Sequence, residues 1–324
     1  SYMNKKRGIN PIVVILLSLI IAGAGAGFTG YQYYKQKYAG DAVAYSRQLI
    51  KDLPEEGFER TMAGLFYSDE EIETIKKGVD RNAVSQTEAL EENPEGIEII
   101  PLKGPTYQAF MMIVHHPEDV IVAVNPTLDS AASGLYLDEY LEAYGAIAGI
   151  NAGGFEDAGG NGNGGQAWGI VIHDGKLISG RMSDYTSVIG INYANRLVVG
   201  DMSAEQALQW DIRDAVTFGP IFIKEYQVVF KSGQHPGLNP RTVIGQRDDG
   251  AFLFLVIDGR QPISFGSTYQ DIIDIMQQFG AVNAANLDGG NSTIMMYRDQ
   301  VVNSTVSIYG GRHLPTAFIV KEHE

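Results

Sequence analysis

From Gly96 onward the chain is written in short apolar runs punctuated by Gly, Asp, Asn and Pro, the pattern of strands joined by tight turns. Ile97–Ile100, Tyr107–His115 and Val120–Val124 open the series, with His116-Pro117-Glu118-Asp119 as a connecting turn. Leu137–Tyr144 has a helical period, and Ala146–Ile150 reads as a buried strand. Trp168–His173 with Lys176–Ser179, and Ser187–Asn192 with Leu197–Gly200, predict two strand pairs, followed by a helix at Ser203–Trp210. Val243–Gly245 and Ala251–Ile257 flank Asp248-Asp249-Gly250, a hairpin signal. Tyr269–Phe279 places Ile272, Ile273, Ile275, Met276 and Phe279 on one helix face, and Gly280 suits its stop. Ala281–Leu287 is a further buried strand, and Thr316–Lys321 closes the series. Many hairpins and few long helices argue against a doubly wound parallel sheet. They predict an α+β fold: a mixed, mostly antiparallel sheet with helices packed against it.

Before Gly96 the pattern changes. Lys5, Lys6 and Arg7 precede Ile9–Phe28, an apolar stretch of bilayer-spanning length, and Tyr31, Tyr33 and Tyr34 follow as an interfacial belt. Residues 1–38 are expected to form a cytoplasmic tip and transmembrane signal-anchor, 39–95 a helical stalk, and 96–324 the functional domain. The stalk reading rests on Ala42–Leu53, Glu55–Phe66 and the capping box at Ser68-Asp69-Glu70-Glu71. A cleaved signal peptide ending near Ala22–Ala26, with secretion of the rest, is the alternative. Gly23 and Gly27 have the GxxxG spacing of helix dimers, the feature that points toward a homo-oligomer.

Charge supports export. The net charge of −15 is split unevenly: the first 38 residues hold five Lys/Arg and no acid, leaving 19 bases against 39 acids in the remainder. The positive-inside rule then keeps the N-terminus cytoplasmic and the acidic bulk outside the cell membrane. That acidity argues against a nucleic-acid partner. With no cysteine there is no disulfide framework and no thiolate chemistry.

Candidate chemistry gathers at strand ends. Two predicted strands finish in Asp-Gly: Asp258-Gly259-Arg260 and Asp288-Gly289-Gly290, the latter followed by Asn291-Ser292. Two glycines after an acid allow a ligand close to the backbone. Another strand ends in Asn151-Ala152-Gly153-Gly154-Phe155, which offers an amide and backbone N–H groups to a sugar or anion. The glycine-rich loop Glu156–Gln166 lacks the Lys and helix of a phosphate loop and reads as a mobile lid. Arg241, Arg260 and Arg312 are candidates to hold an anion, since a planar guanidinium suits bidentate phosphate contact. His115 and His116 are adjacent on a strand, so they face opposite ways and do not easily share one ion. His173, His235 and His313 are scattered. The residues require no cofactor; a Ca²⁺ site of acids and carbonyls stays open.

Asn-Pro-Arg-Thr at Asn239–Thr242, Val256-Ile257-Asp258-Gly259-Arg260-Gln261, the helix ending in Phe279-Gly280, the Asp288–Thr293 turn and the Asn151–Phe155 signature together resemble the phosphodiester glycosidase family, over roughly Thr106 to Val320. Phe218-Gly219-Pro220 before a strand is a further shared feature. The resemblance implies hydrolysis of the anomeric C–O bond of a sugar-1-phosphodiester, in an envelope or extracellular glycan or sugar-phosphate polymer. It implies a catalytic group of Asp288, Asp258 and Arg241. Substrate would be bound by Asn151, Gly153, Gly154, Phe155, Gly219, Thr242, Arg260, Gly289, Gly290, Ser292, Arg312 and His313. Two departures bear on substrate identity: Asn291 stands where the family has Gly, and Asp271 where relatives often have Glu. A non-catalytic glycan-binding or scaffold protein of the envelope is the alternative; it would keep the glycines without needing an acid–base pair.

Overall fold

The computed structural model describes residues 27–34, 53–67, 69, 72–73, 96–129, 132–157, 162–231, 237–306 and 311–323. The chain divides into two compact units, Ser1–Gly78 and Val79–Glu324. In the first, helices at 27–34 and Phe58–Ala63 are described, and Leu53, Ala63 and Ile72 bury one another beneath Tyr34, Met62 and Phe66. The helix expected over Glu55–Phe66 is shorter because Gly57, at φ 117°, starts it late and Gly64 caps it early. Apart from its last two residues the expected membrane span lies outside the described residues, as do the Ala22–Ala26 zone and all of Ala42–Leu53 but Leu53. Among the described residues no helix is long and apolar enough to cross a membrane.

The second unit is built from three sheets whose neighbouring strands run antiparallel. Numbered in chain order, the first sheet runs β1 (Ile97–Lys103), β2 (Gln108–Val114), β13 (Phe252–Ile257), β12 (Arg241–Arg247), β14 (Ala281–Asn286), β10 (Ile221–Lys224) and β11 (Gln227–Val228). The second runs β16 (Gln300–Val301), β15 (Met295–Tyr297), β4 (Ala146–Asn151), β17 (Thr316–Lys321) and β3 (Val120–Val124). The third runs β6 (Lys176–Ser179), β5 (Val171–His173), β9 (Ile212–Thr217), β7 (Tyr185–Asn192) and β8 (Leu197–Ser203). The mostly antiparallel architecture expected from the sequence is present, divided among three sheets instead of gathered in one. Hairpins such as β7–β8 are local, whereas β2–β13 and β4–β17 join strands far apart in the chain.

Each sheet turns one face to a shared core and the other to a helix. Phe252, Phe254 and Val256 point into the shared core with Val122, Ile150, Ile189 and Phe318. Their neighbours Leu253, Leu255 and Ile257 pack on the opposite face with Ile272, Ile273 and Met276 of a helix, Tyr269–Gln278. Leu137, Tyr140 and Leu141 of the helix Leu137–Tyr144 cover the second sheet, and Ala204 and Ala207 of the helix Ala204–Gln209 cover the third. This burial on both faces explains why β13 is apolar at every position, with no polar alternation.

The registers bring strand ends together. Arg241, first in β12, lies opposite Ile257, last in β13, and Val243 lies opposite Asn286, last in β14. Ala317, near the start of β17, lies opposite Asn151, last in β4. The two Asp-Gly turns and the Asn151–Phe155 segment therefore leave the sheets at one junction.

Candidate active site

Asn151 is the brace of this junction. It is fully buried; its Nδ2 donates to the Asp288 carbonyl (2.6 Å), and its Oδ1 accepts from Thr242 Oγ1 (2.7 Å) and Ile294 N (3.2 Å). The Asp288 N–H donates to the Ala152 carbonyl at 3.0 Å, so Asp288 is fixed at both backbone atoms. The expectation that Gly153 and Gly154 offer free N–H groups is corrected: Gly153 N donates to Thr316 Oγ1 (3.0 Å) and Gly154 N to the Thr217 carbonyl (3.2 Å). Buried donors must be paired, and here the neighbouring sheets supply the partners. These glycines serve packing. A Cβ on Gly154 would stand 2.8 Å from the Phe218 ring and one on Gly153 3.0 Å from Val216 Cβ. Gly219 likewise gives its carbonyl to Asn286 Nδ2 (2.9 Å).

The Asp288 carboxyl lies half-buried beside the Gly289-Gly290 turn. A Cβ on Gly289 would sit 2.8 Å from the Pro240 carbonyl, and Gly290 adopts φ 60°, so both glycines are required. Burial pushes the Asp288 pKa up to about 6, against the pull of the Ser292 hydroxyl, the Arg312 charge and the Gly289 N–H, which donates to Asp288 Oδ1 (3.0 Å). Asp258 is placed differently. Its carboxylate accepts from Asn303 Nδ2 (3.1 Å) and the Ser304 N–H (3.1 Å), and burial raises its pKa while those donors lower it. It ties the segment after β16 to the end of β13, and no interaction couples it to Asp288.

Three arginines surround the turn. Arg241 is buried with its guanidinium 4.6 Å from the Tyr269 ring centroid; Nη2 donates to the Gly237 carbonyl (3.1 Å), and Nε has no partner among the described residues. Arg260 is exposed, bonded to Asn291 Oδ1 (2.9 Å) and Asn239 Oδ1 (3.0 Å), with its guanidinium nitrogens facing Gly290. Burial, and to a lesser degree the Arg260 charge, lowers the Arg241 pKa, which places the two cations near one another. Among the described residues neither has a carboxylate partner. Arg312 does: it grips Asp157 with two hydrogen bonds (2.8 and 2.9 Å) and lies 4.7 Å from the Phe155 ring centroid. His313 stacks on Tyr136 at the rim.

Among the described residues the buried side-chain polar atoms without a partner include Arg241 Nε, Ser267 Oγ, Asn286 Oδ1 and Thr293 Oγ1, all between Arg241 and Thr293. Sequence reasoning missed Asp157, Tyr269, Asn303 and Thr316. Only Asp157, an acid entering a glycine-rich loop, carried a signal. That loop's lid reading falls partly outside the described residues, at 158–161.

Asp271, the departure read as bearing on substrate, closes a capping box. Its Oδ2 accepts from the Thr268 N–H (2.8 Å) and Oγ1 (2.7 Å), holding the start of the Tyr269–Gln278 helix.

A phosphodiester glycosidase family model matches residues 144–321. The chain is 28% identical over 171 residues to the mouse N-acetylglucosamine-1-phosphodiester alpha-N-acetylglucosaminidase, covering 46% of this chain and 31% of that protein. It is 36% identical over 66 residues to the SPbeta prophage-derived uncharacterized protein YomE of Bacillus subtilis, 20% of this chain and 10% of that protein. It thus spans about a third or less of the length of these relatives. In fold it is similar to the zebrafish N-acetylglucosamine-1-phosphodiester alpha-N-acetylglucosaminidase catalytic domain, auto-inhibited by its pro-peptide. The TM-score is 0.58 at 18% identity, over 74% of this chain and 87% of that one.

Proposed function

The chain belongs to the phosphodiester glycosidase family, and from that premise we propose that it hydrolyses the anomeric C–O bond of a sugar-1-phosphodiester in an envelope or extracellular glycan. The observation that carries this reading is the adjacency of Arg241 and Arg260, which have no carboxylate partner among the described residues, at the Gly289-Gly290 turn that follows Asp288. Two neighbouring cations without a carboxylate partner among the described residues suit an anion, and a phosphodiester offers the pair of oxygens that a planar guanidinium binds bidentately. With the phosphate so held, Asp288 faces the anomeric carbon. Its pKa of about 6 leaves it largely ionised at neutral pH and still basic.

In the proposed step, a water oxygen bonds to the anomeric carbon as the C–O bond breaks, and the bonding pair leaves on the phosphate oxygen. Asp288 takes the proton that water loses, or first attacks the carbon itself; both routes require its ionised form. The phosphate is a good leaving group and its charge rests on Arg241 and Arg260, so a second carboxyl acting as strong acid is dispensable. That agrees with Asp258 serving as a brace. Arg312, held by Asp157 over Phe155, is the cation whose charge acts on Asp288.

The basic N-terminal flank and the apolar stretch after it support a single-pass anchor with the catalytic domain outside the cell membrane. Hydrolysis of a panel of sugar-1-phosphodiesters in ¹⁸O-water tests the reaction. The label should appear in the released sugar. Label in the phosphate would mean P–O cleavage and overturn the mechanism.

A further inference from the structure

We propose that His116, Glu118 and His323 form a binding site for a divalent transition-metal ion of the zinc type, outside the active site. His116 and Glu118 come from the turn between β2 and β3, and His323 from the residues that follow β17. The β3–β17 register, Val120 opposite Val320, carries His323 back across the Pro117–Asp119 turn despite the sequence distance. One ligand atom from each of the three residues lies within 4.8 Å of the others. Ligands about 2.1 Å from a tetrahedral ion stand roughly 3.4 Å apart, so the site closes by little more than 1 Å.

The surroundings are those of a metal site. Asp119 Oδ2 lies 2.8 Å from His323 Nδ1. With the proton on Nδ1 shared with this carboxylate, Nε2 presents its lone pair, the arrangement that orients imidazole ligands in carboxylate–histidine–metal triads. His116 Nδ1 is 3.6 Å from Glu118 Oε1. Its ring packs so closely on Gly96 that a Cβ there would fall 2.3 Å from His116 Cδ2. Glu118 and Asp119 together balance the charge of a divalent ion. Two imidazoles and a carboxylate favour zinc and its neighbours over Ca²⁺ or Mg²⁺, which take oxygen ligands. In the structure the His116 and His323 rings are stacked, 3.7 Å between centroids and 16° between planes. Ligation uses lone pairs in the ring plane, so binding turns one ring about its side-chain torsions, a fast motion for partly exposed groups.

The six residues of β17 separate this cluster from the Thr316 end, where the catalytic junction lies, by roughly 20 Å. Its role is therefore to clip the segment after β17 onto the β2–β3 turn.

The test is calorimetric titration of the untagged full chain, stripped with chelator, with ZnCl₂, alongside the absorption spectrum of the Co²⁺ form. One ion per chain is expected, with visible Co²⁺ bands of tetrahedral or five-coordinate type. His116→Ala and His323→Ala should each abolish binding, and Asp119→Asn should weaken it by about tenfold. Glu118→Gln, which keeps both rings, should also weaken it at least tenfold and decides the matter if an alanine variant fails to fold. No binding at 100 μM ZnCl₂ by the parent chain, or parental affinity in Glu118→Gln or in folded His116→Ala, would overturn the site.

Discussion

At the scale of single residues, Asp288 carries the sharpest consequences. Its carboxyl has a pKa of about 6 in the folded chain because burial disfavours the charged form. The unfolded value is about 3.9, so folding takes up a proton between these limits. Stability from this group is complete below about pH 4 and is lost as pH rises through about 6. The loss is on the order of 3 kcal/mol for a shift of about two units. Asp288→Asn should therefore lower turnover by at least about a thousandfold while raising the melting temperature at pH 8, with no stabilisation at pH 4. Parallel thermal melts and kinetics check this; a variant that is active, or less stable at pH 8, would make Asp288 an ordinary turn residue. Because the ionised form reacts, kcat/KM of the parent should rise with pH and level off above about 6. Asn291 also gains a meaning here: its side chain accepts from Arg260 and holds that cation in place.

At the scale of elements, the site depends on how three strand ends are tied. Asn151 at the end of β4 joins β12 through Thr242, the segment after β14 through the Asp288 carbonyl, and the approach to β15 through Ile294 N. Asn151→Ala would leave a buried carbonyl, N–H and hydroxyl without partners, at about 1–3 kcal/mol for each. The expected result is a loss of about 3 kcal/mol or more in denaturant titration. Turnover should fall even where the variant is fully folded, since Asp288 loses its brace. Its position at a strand end beside two glycines was legible in the sequence. Its partners were not, because Thr242 and Asp288 lie 91 and 137 positions away.

At the scale of the whole molecule, the division into Ser1–Gly78 and Val79–Glu324 leaves the three sheets, their helices and every candidate site residue in the second unit. A chain of residues 79–324 should fold cooperatively and cleave sugar-1-phosphodiesters with kcat within about twofold of the full chain. Circular dichroism melts and steady-state kinetics on the two chains compare them directly. A shortened chain that unfolds or loses activity would show that the first unit completes the domain.

The sequence by itself determined the elements: the helix at Leu137–Tyr144 and the strand at Thr316–Lys321 form where their pattern places them. It also determined that acids and glycines stand at strand ends, because turn chemistry is local and written in adjacent residues. Only the tertiary structure decided how the strands divide among three sheets, since β2–β13 and β4–β17 are chosen by long-range burial. It also separated two carboxyls that look alike in sequence. Asp258 and Asp288 each end a strand in Asp-Gly, yet Asn303 and Ser304 occupy the first carboxylate while the second sits at the Gly289-Gly290 turn with its pKa raised to about 6. A side chain's proton affinity is set by what surrounds it in space, and those neighbours come from parts of the chain that no local pattern connects.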